Sequence, residues 1–297
     1  MHVPVLLKET IESLLIQKGD RVVDATLGGG GFSQKVCEIF GRDVTVIGLD
    51  ADVDAVSRVK EAMKDSECNI SFEVSNFSDI EEVLDRSGYD EVEKVVFDLG
   101  LSSFQIDDSG RGFSFQKNEP LRMTFSKEVP TDGVTAEDIV NTWSEDVLKT
   151  IISAYGEEVH AGRISKGLVE ARKKGRIETT FDLVEVIEDS VPRGYKKGKI
   201  NPATKTFQAL RMAVNDEITA LEKGLDGSFK RLAVGGRIAV ISFHSLEDRV
   251  VKRFFMSKEK EGSAVRVTKK PIRPTHEEVL NNRRSRSAKL RILEKTN

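Results

Sequence analysis

The stretch from Asp24 to Ser33 constrains the fold most, because four consecutive glycines, Gly28–Gly31, separate an apolar run from a helix-like pattern. Glycine lets the backbone approach a ligand closely, and the N–H groups at a helix start attract electron-rich ligand atoms. The stretch therefore predicts a strand, a tight loop and a helix start that bind a nucleoside-like ligand. The alternative is a plain tight turn, in which four glycines would cost conformational entropy without adding packing.

Short apolar segments alternate with helix-like segments on both sides of this loop. Alternation of this kind, with nearly continuous apolar residues in each short segment, is typical of a parallel sheet buried on both faces. The sequence therefore predicts an α/β protein with an edge hairpin at its C-terminal end. The predicted strands are 21–24, 44–49, 70–74, 94–99 and 237–243, with 265–268 and 290–293 as the antiparallel edge.

The alternation stops near residue 106 and resumes near residue 201. Thr135 and Asp138 form a capping-box pattern before a helix-spaced apolar run, and further helical patterns follow. We therefore predict three segments: 1–105 as the first part of the α/β domain, 106–200 as a mainly helical insertion, and 201–297 as the second part with a basic tail.

Charge is distributed unevenly over the 297 residues. The net charge is −3, but residues 266–297 carry ten Lys or Arg against three Glu. A basic segment on a mildly acidic body favours a polyanionic partner. The alternative is a solvated, frayed terminus.

The cysteine pattern and the apolar runs narrow the class of protein further. Cys37 and Cys68 form no CxxC pair and indicate no disulfide framework, so we expect both to be reduced, small hydrophobic residues. No apolar run reaches the ~18 residues of a membrane span, and polar residues interrupt the N-terminal apolar segment. These features predict a cytoplasmic protein without a membrane segment, and we expect no metal site.

Acidic residues end two of the predicted strands and indicate the ligand. Asp50 follows Gly28 by 22 residues, close to the offset at which an acid binds ribose hydroxyls in dinucleotide-binding folds. A nicotinamide dinucleotide is one candidate, but Ser33 occupies the third glycine position of that motif. S-adenosylmethionine is the favoured candidate, since Asp24 can hold its ammonium group and the sheet has an edge hairpin.

The ends of the next strands supply further candidate residues. Asp98 points, in such a fold, into the crevice between cofactor and substrate, and a polar loop follows it. Phe77 follows the third strand and can meet an adenine, although core packing is the alternative. His244 follows the fifth strand, where a structural role is the alternative to a catalytic one.

The chain closely resembles the bacterial ribosomal RNA small subunit methyltransferase H family over nearly its whole length. Several long motifs in the same order carry this resemblance. They are His2–Leu7, Asp24–Ser33, Asp98–Asp107, Arg111–Phe115, Tyr155–Glu158, Pro202–Arg211, Ile241–Arg249 and Arg284–Arg291.

The resemblance implies a class I, Rossmann-like S-adenosylmethionine methyltransferase sheet interrupted by a helical substrate-recognition insertion. It implies methylation of the exocyclic amine (position 4) of a cytosine in small-subunit ribosomal RNA, within an assembling or assembled small ribosomal subunit. The oligomeric state stays open, with a homodimer as one option. By position, the implied cofactor contacts are Gly30, Gly31, Phe32, Asp50, Phe77, Asp98 and Gln105.

The chain departs from the family pattern at three places. Phe32 stands where the family has His, and Asn201 replaces the His of a His-Pro-Ala-Thr motif. Residues 120–126 read Pro-Leu-Arg-Met-Thr-Phe-Ser, where the family has Pro-Leu-Asp-Met-Arg-Met-Asp. The changed charges concern the substrate and the activity more than the fold.

For the reaction we expect Asp98, Ser102 and His244 to be the catalytic residues. Asp98, with the loop at Ser102, accepts hydrogen bonds from the amine as the methyl arrives, or alternatively only holds the cofactor. The expected RNA contacts are Phe104, Phe113 and Phe115 for the base, and Lys196–Lys199, Lys269, Lys270 and Arg283–Arg291 for phosphates.

Two alternatives to this function remain from the sequence. One is a methyltransferase of the same fold that acts on another nucleic acid or on protein, as the changed loop at 122–126 indicates. The other is an inactive, cofactor-binding ribosome-assembly factor.

Overall fold

A mixed β-sheet forms the centre of the first of two compact units in the computed structural model, which describes residues 4–129, 133–196, 198 and 200–297. The first unit consists of the residues up to Leu101 together with Ile218–Asn297, and the second is Ser102–Glu217. The strands of the sheet are β1 (Arg21–Asp24), β2 (Thr45–Asp50), β3 (Asn69–Val74), β4 (Val92–Asp98), β5 (Leu232–Ser242), β6 (Ala264–Arg266) and β7 (Lys289–Lys295).

The strands lie in the order β3-β2-β1-β4-β5-β7-β6. Strands β1 to β5 are parallel, and β7 runs antiparallel to both β5 and β6. The Rossmann-like α/β sheet and its antiparallel edge are thus confirmed. The strand order reverses between β1 and β4, and a crevice for ligands opens beyond the carboxyl ends of the strands at such a point.

Helices pack on the sheet and make up most of the second unit. In chain order they are α1 (Leu7–Leu14), α2 (Gly31–Phe40), α3 (Val53–Ala62), α4 (Ile80–Arg86), α5 (Ser103–Asp107), α6 (Ala136–Thr142), α7 (Glu145–Ala154), α8 (Ala161–Arg172), α9 (Thr180–Ser190), α10 (Arg193–Lys196), α11 (Ala203–Val214), α12 (Glu217–Arg231), α13 (Ser245–Lys260) and α14 (His276–Asn281). Short 3-10 turns occupy Gly41–Asp43, Phe77–Asp79 and Arg283–Ser287.

Successive strand residues enter two different apolar cores, since side chains alternate between the faces of a sheet. Val22 and Val46 pack in the core that includes α1, α2 and α3 residues. Val23 and Ile47 pack in the opposite core, with residues of α4, α12 and α13. Burial on both faces explains why the strands are nearly continuous apolar runs in the sequence.

The second unit is mainly helical. Helix α8 packs against α6, α7 and α9, and α11 packs against α6 and α7. The capping box predicted at α6 is confirmed, because Thr135 Oγ1 accepts from the Asp138 N–H and the Asp138 carboxylate accepts from the Thr135 N–H. The unit ends at Glu217 rather than near residue 200, because α11 joins the helices that precede it.

The basic C-terminal segment is an integral part of the sheet. Strand β7 lies between β5 and β6, with Leu290, Ile292 and Leu293 fully buried. The frayed-terminus alternative is therefore wrong for 289–295. The charge of the segment could not reveal this strand, because the cations that suggested a solvated tail are interspersed with the buried apolar residues of β7.

The two cysteines are joined, with the sulfurs of Cys37 and Cys68 2.20 Å apart and their Cα atoms at 5.3 Å. The expectation of two reduced cysteines is therefore wrong. Cys37 lies on α2 and Cys68 directly precedes β3, and both border the same apolar core. The pairing depends on tertiary packing, which a separation of 31 residues does not reveal.

Candidate active site

Three aspartates gather at one edge of the sheet, because each ends a strand of the parallel part. Asp24 ends β1, Asp50 ends β2 and Asp98 ends β4. Since β1 has β2 on one side and β4 on the other, the three carboxylates surround the point where the strand order reverses. This is the edge at which the sequence predicted the ligand site.

Asp24 connects β1 to the first turn of α2. Its side chain is 2% exposed, and its Oδ2 accepts a hydrogen bond of 2.6 Å from the hydroxyl of Ser33. Burial, with a smaller contribution from the negative charge of Asp50, raises the pKa of Asp24 to about 6. The residue that breaks the dinucleotide motif, Ser33, is thus the residue that orients this acid.

Asp50 holds the glycine loop. Its Oδ2 accepts from the Gly28 N–H at 2.8 Å, and its Oδ1 accepts from the Asp52 N–H at 2.9 Å. Burial raises the pKa of this carboxyl as well. Each carboxylate oxygen keeps a second lone pair, so Asp50 can still accept hydrogen bonds from ribose hydroxyls.

The glycines of the loop have different functions. Gly30 has a φ of 76°, and a Cβ atom there would lie 2.6 Å from Val59 Cγ1 on α3. A Cβ on Gly31 would overlap the ring of Pro4, whereas one on Gly29 would meet nothing within 4 Å. Gly30 and Gly31 therefore let the loop pack closely, and Gly29 leaves an open face.

Asp98 lies beside this loop and has an incompletely satisfied side chain. Its backbone N–H donates to Thr26 Oγ1 at 2.6 Å, and the Gly100 N–H hydrogen-bonds its carboxyl. Among the described residues, none donates a hydrogen bond to its buried Oδ1. Burial raises the pKa of Asp98 to about 7, and the charges of Asp24 and Glu247 contribute to the rise.

These features suit a ligand that brings positive charge and N–H groups. The buried carboxylate of Asp24 and the half-buried carboxylate of Asp98 repel each other, and a buried polar atom without a partner, such as Asp98 Oδ1, costs free energy. S-adenosylmethionine carries a sulfonium and an ammonium, and an acceptor amine also carries N–H donors. The residues present therefore fit this cofactor.

The two aromatic side chains that were predicted to contact the cofactor pack against other apolar residues. Phe32 lies in the first turn of α2, and its side chain is buried in the apolar core. Only its backbone, at the N-terminus of α2, therefore faces the glycine loop. The Phe77 ring packs edge-on against Phe97 at 5.5 Å. A Cβ on Gly224 would lie 2.8 Å from the same ring.

Ser102 and Gln105 belong to the helical unit and cap α5 together. Ser102 Oγ accepts from the Gln105 N–H at 3.2 Å, and Gln105 Oε1 accepts from the Ser102 N–H at 2.9 Å. The structure thus gives both side chains a capping role, and their catalytic and cofactor roles stay predictions.

His244 caps α13 and introduces an acid that the sequence reasoning missed. Its Nδ1 accepts from the Glu247 N–H at 3.3 Å, so this nitrogen is engaged by the backbone. Glu247 is 4% exposed, and its Oε2 accepts from the N–H of Phe243 at 2.8 Å. His244 thus has the structural role that the sequence left as the alternative, and it takes the N-cap place that Ser or Thr usually fills.

The altered loop at 120–126 is held both by local hydrogen bonds and by residues elsewhere in the helical unit, such as Asn215, whose side chain bonds the Phe125 N–H and the Met123 carbonyl. Thr124 Oγ1 donates to the Ser126 carbonyl at 2.8 Å, and Arg122 donates to the Lys127 carbonyl at 2.6 Å. The Phe113 and Phe125 rings stack at 6.0 Å. The residues that depart from the family pattern therefore form internal contacts of the helical unit.

The expected phosphate contacts fall into two groups. Lys289 and Arg291 both bind the Asp248 carboxylate, at 2.8 and 2.7 Å, and Arg291 is 6% exposed. This pairing contradicts their expected role, because both cations are used within the sheet unit. Other tail cations are exposed, among them the expected Lys269, Lys270, Arg283, Arg284 and Arg286, together with Arg273.

Some expected features lie outside the described residues. Lys197 and Lys199 of the basic loop and His2 and Val3 of the opening motif are among these. Within the described part of the chain, no helix has the length and apolar character needed to cross a membrane.

The Rossmann-like sheet, the glycine loop and the acids at three strand ends define an S-adenosylmethionine-dependent methyltransferase. Comparison with known proteins narrows this class, since residues 1–296 match the model of the MraW methylase family. The chain belongs to that family.

Individual relatives agree with this assignment. Ribosomal RNA small subunit methyltransferase H of Deinococcus radiodurans is 45% identical over 296 residues, covering 99% of this chain and 89% of the relative. The protein of that name from Carboxydothermus hydrogenoformans is 43% identical over 309 residues, with 99% and 97% covered. A solved Streptococcus mutans structure, described as a methyltransferase in complex with SAH, is 11% identical with a TM-score of 0.45, and 99% of each chain is covered.

Proposed function

We propose that the protein transfers a methyl group from S-adenosylmethionine to the exocyclic N4 amine of a cytosine in small-subunit ribosomal RNA. The observation that carries this proposal is Asp98, a half-buried carboxylate at the end of β4 whose buried Oδ1 accepts no hydrogen bond from any of the described residues. The names of relatives at 45% and 43% identity support ribosomal RNA as the substrate.

The cofactor, when bound, supplies an electrophilic methyl carbon on a sulfonium. Asp24 holds its ammonium, Asp50 holds its ribose, and the backbone at Gly30 and Gly31 lines it. These groups orient the methyl carbon for in-line attack in a site from which water is excluded.

Asp98 acts on the acceptor amine. The lone pair of a cytosine amine is delocalised into the ring, which makes the amine a weak nucleophile. A carboxylate that accepts hydrogen bonds from the N–H groups of the amine makes its nitrogen more nucleophilic. Asp98 Oδ1 would accept a hydrogen bond from N4 and then the proton that N4 loses on gaining the methyl group that the cofactor supplies. A pKa of about 7 suits this proton transfer at neutral pH.

The exposed tail cations Lys269, Lys270, Arg273, Arg283 and Arg286 contact RNA phosphates. Asn282 caps the 3-10 turn that carries Arg283 and Arg286, and the buried Ser285 anchors it. RNA affinity should therefore fall steeply with salt concentration. The substrate is the RNA within an assembling or assembled small ribosomal subunit in the cytoplasm, and the protein acts as a monomer or a homodimer.

Labelled methyl transfer tests this proposal. The purified protein is given labelled cofactor with isolated small ribosomal subunits, with naked ribosomal RNA or with ribosomal protein, and the labelled base is mapped. We expect label on N4 of one cytosine. Label on another base or on protein, or tight cofactor binding without transfer to any of the three, would contradict the proposal, and the last result favours an assembly factor.

A further inference from the structure

Glu247 is a buried acid without a part in the proposed chemistry. Its Oε2 accepts from the N–H groups of Phe243 at 2.8 Å and of His244 at 3.2 Å. Its Oε1 lies 3.1 Å from His244 Nε2. With 4% of its surface exposed, this carboxylate fixes the turn between β5 and α13 from inside.

That turn lies against the end of β4. Asp98 pairs with Ile241 in the parallel ladder, and the Leu99 N–H donates to the Ile241 carbonyl at 3.0 Å. The Phe243 ring covers Gly100 so closely that a Cβ there would lie 2.8 Å from ring atom Cε2. The Gly100 N–H in turn hydrogen-bonds the Asp98 carboxyl.

A continuous series of contacts therefore joins Glu247 to Asp98. Glu247 holds the Phe243 backbone, the Phe243 ring packs on Gly100, and the Gly100 N–H orients Asp98. Each contact lies within the sheet unit. A carboxylate that holds one end of this series controls the position of the other end.

Glu247 also acts on Asp98 through its charge. The charged groups that face Asp98 are Asp24, at the end of β1, and Glu247, on α13; both raise its pKa beyond the effect of burial. Asp50 acts in the same direction on Asp24. Removal of the Glu247 charge should therefore lower the pKa of Asp98.

We propose that Glu247 is a positioning residue for methyl transfer, which orients the Asp98 carboxylate through Phe243 and Gly100 and holds a second negative charge beside it. The inference rests on the proposed function, because it requires Asp98 to act on the amine. It assigns a role in the reaction to a side chain that otherwise only closes a helix end.

The Glu247→Gln variant tests the charge. Gln keeps an oxygen for the two N–H groups but removes the negative charge. The acid limb of the kcat/KM profile, measured by methyl transfer to small ribosomal subunits, should move to lower pH by roughly one unit. Glu261→Gln, at the exposed end of α13, is the matched control and should leave the limb in place. If the acid limb of Glu247→Gln stays at the wild-type pH, the proposed effect of the Glu247 charge on Asp98 is wrong.

The Phe243→Leu variant tests whether the contacts through Phe243 and Gly100 position Asp98. It also keeps the proposal testable if Glu247→Gln does not fold. It removes the ring from Gly100 and leaves the Glu247 charge. We expect kcat to fall roughly tenfold, with the KM for the cofactor and the acid limb unchanged. An unchanged kcat would overturn the inference. A wild-type profile without an acid limb, or full turnover in Asp98→Asn, would instead contradict the proposed function itself.

Discussion

The sheet unit and the helical unit each bury a carboxylate, and they satisfy it differently. In the helical unit, Glu158 is 3% exposed, and its two oxygens accept from the His160 N–H at 2.8 Å and the Tyr195 hydroxyl at 2.6 Å. In the sheet unit, Asp98 Oδ1 is buried without a donor among the described residues. The contacts of Glu158 hold the helical unit together, whereas a buried oxygen without a donor, such as Asp98 Oδ1, indicates a site.

The same difference extends to other polar side chains of the two units. Capping boxes at α5, α6 and α9 pair Ser102 with Gln105, Thr135 with Asp138 and Thr179 with Asp182. In the sheet unit, by contrast, acids crowd one edge and raise each other's pKa. The acids of the proposed mechanism thus lie in the sheet unit, whereas these capping pairs stabilise helices of the helical unit.

The largest expected effect separates the two buried acids. Asp98→Asn should reduce methyl transfer about 10³-fold, because the amide cannot take the proton of the amine. Glu158→Gln should keep most of the turnover and lower the free energy of unfolding by about 1–3 kcal/mol, through a weakened buried hydrogen bond. Turnover is measured with labelled cofactor, and stability by urea unfolding.

Unchanged turnover in Asp98→Asn, with only weaker cofactor binding, would remove the acceptor role from Asp98. An equal loss of turnover in Glu158→Gln would mean that Glu158, whose oxygens are satisfied, matters to methyl transfer as much as Asp98.

The next effect concerns the cross-link of the sheet unit. Cys37→Ser opens a closed loop of 31 residues, which should lower the free energy of unfolding by about 3 kcal/mol in buffer without reductant. With dithiothreitol present, the variant and the wild type should unfold at the same denaturant concentration. A difference that persists in reductant would mean that the serine perturbs packing and that the disulfide contributes little.

Cofactor affinity should depend on pH. The pKa values of Asp24 and Asp98 are raised to about 6 and about 7, so both carboxyls take up protons as the pH falls from 8 to 5.5. A cationic ligand prefers the ionised forms, so its Kd should rise at least about tenfold over this range. Titration calorimetry with S-adenosylmethionine measures the change, and a constant Kd would exclude both acids from the cofactor contacts.

The smallest effect distinguishes capping from catalysis. Thr135→Ala and Ser102→Ala each remove an N-cap and should each cost about 1 kcal/mol of stability. If Ser102 only caps α5, the two variants will have equal turnover in the methyl-transfer assay. Lower turnover in Ser102→Ala alone would give Ser102 the predicted catalytic role.

Local sequence patterns were sufficient for the sheet and for the strand-end acids. The apolar runs ending in Asp24, Asp50 and Asp98 placed three carboxylates at one edge, because parallel strands bring their carboxyl ends together. The four glycines placed the loop beside them.

Features that depend on tertiary packing could not be read in the same way. Glu247 looked like an ordinary first-turn acid, since its charge acts on Asp98 only when β4 and β5 pair. The Cys37–Cys68 bond and the Asp248 pairs with Lys289 and Arg291 also join distant segments. Composition identified the tail as basic, but only the sheet shows which cations face solvent.

The place of β7 in the sheet has a consequence for synthesis on the ribosome. The helical unit is one continuous segment, Ser102–Glu217, and can fold as soon as it leaves the exit tunnel. The sheet needs residues 289–295 between β5 and β6, so both of its apolar cores stay incomplete until that segment emerges. The inserted unit should thus be native before the sheet unit that it interrupts in sequence, and a nascent chain stalled before residue 289 should protect only the helical unit from protease.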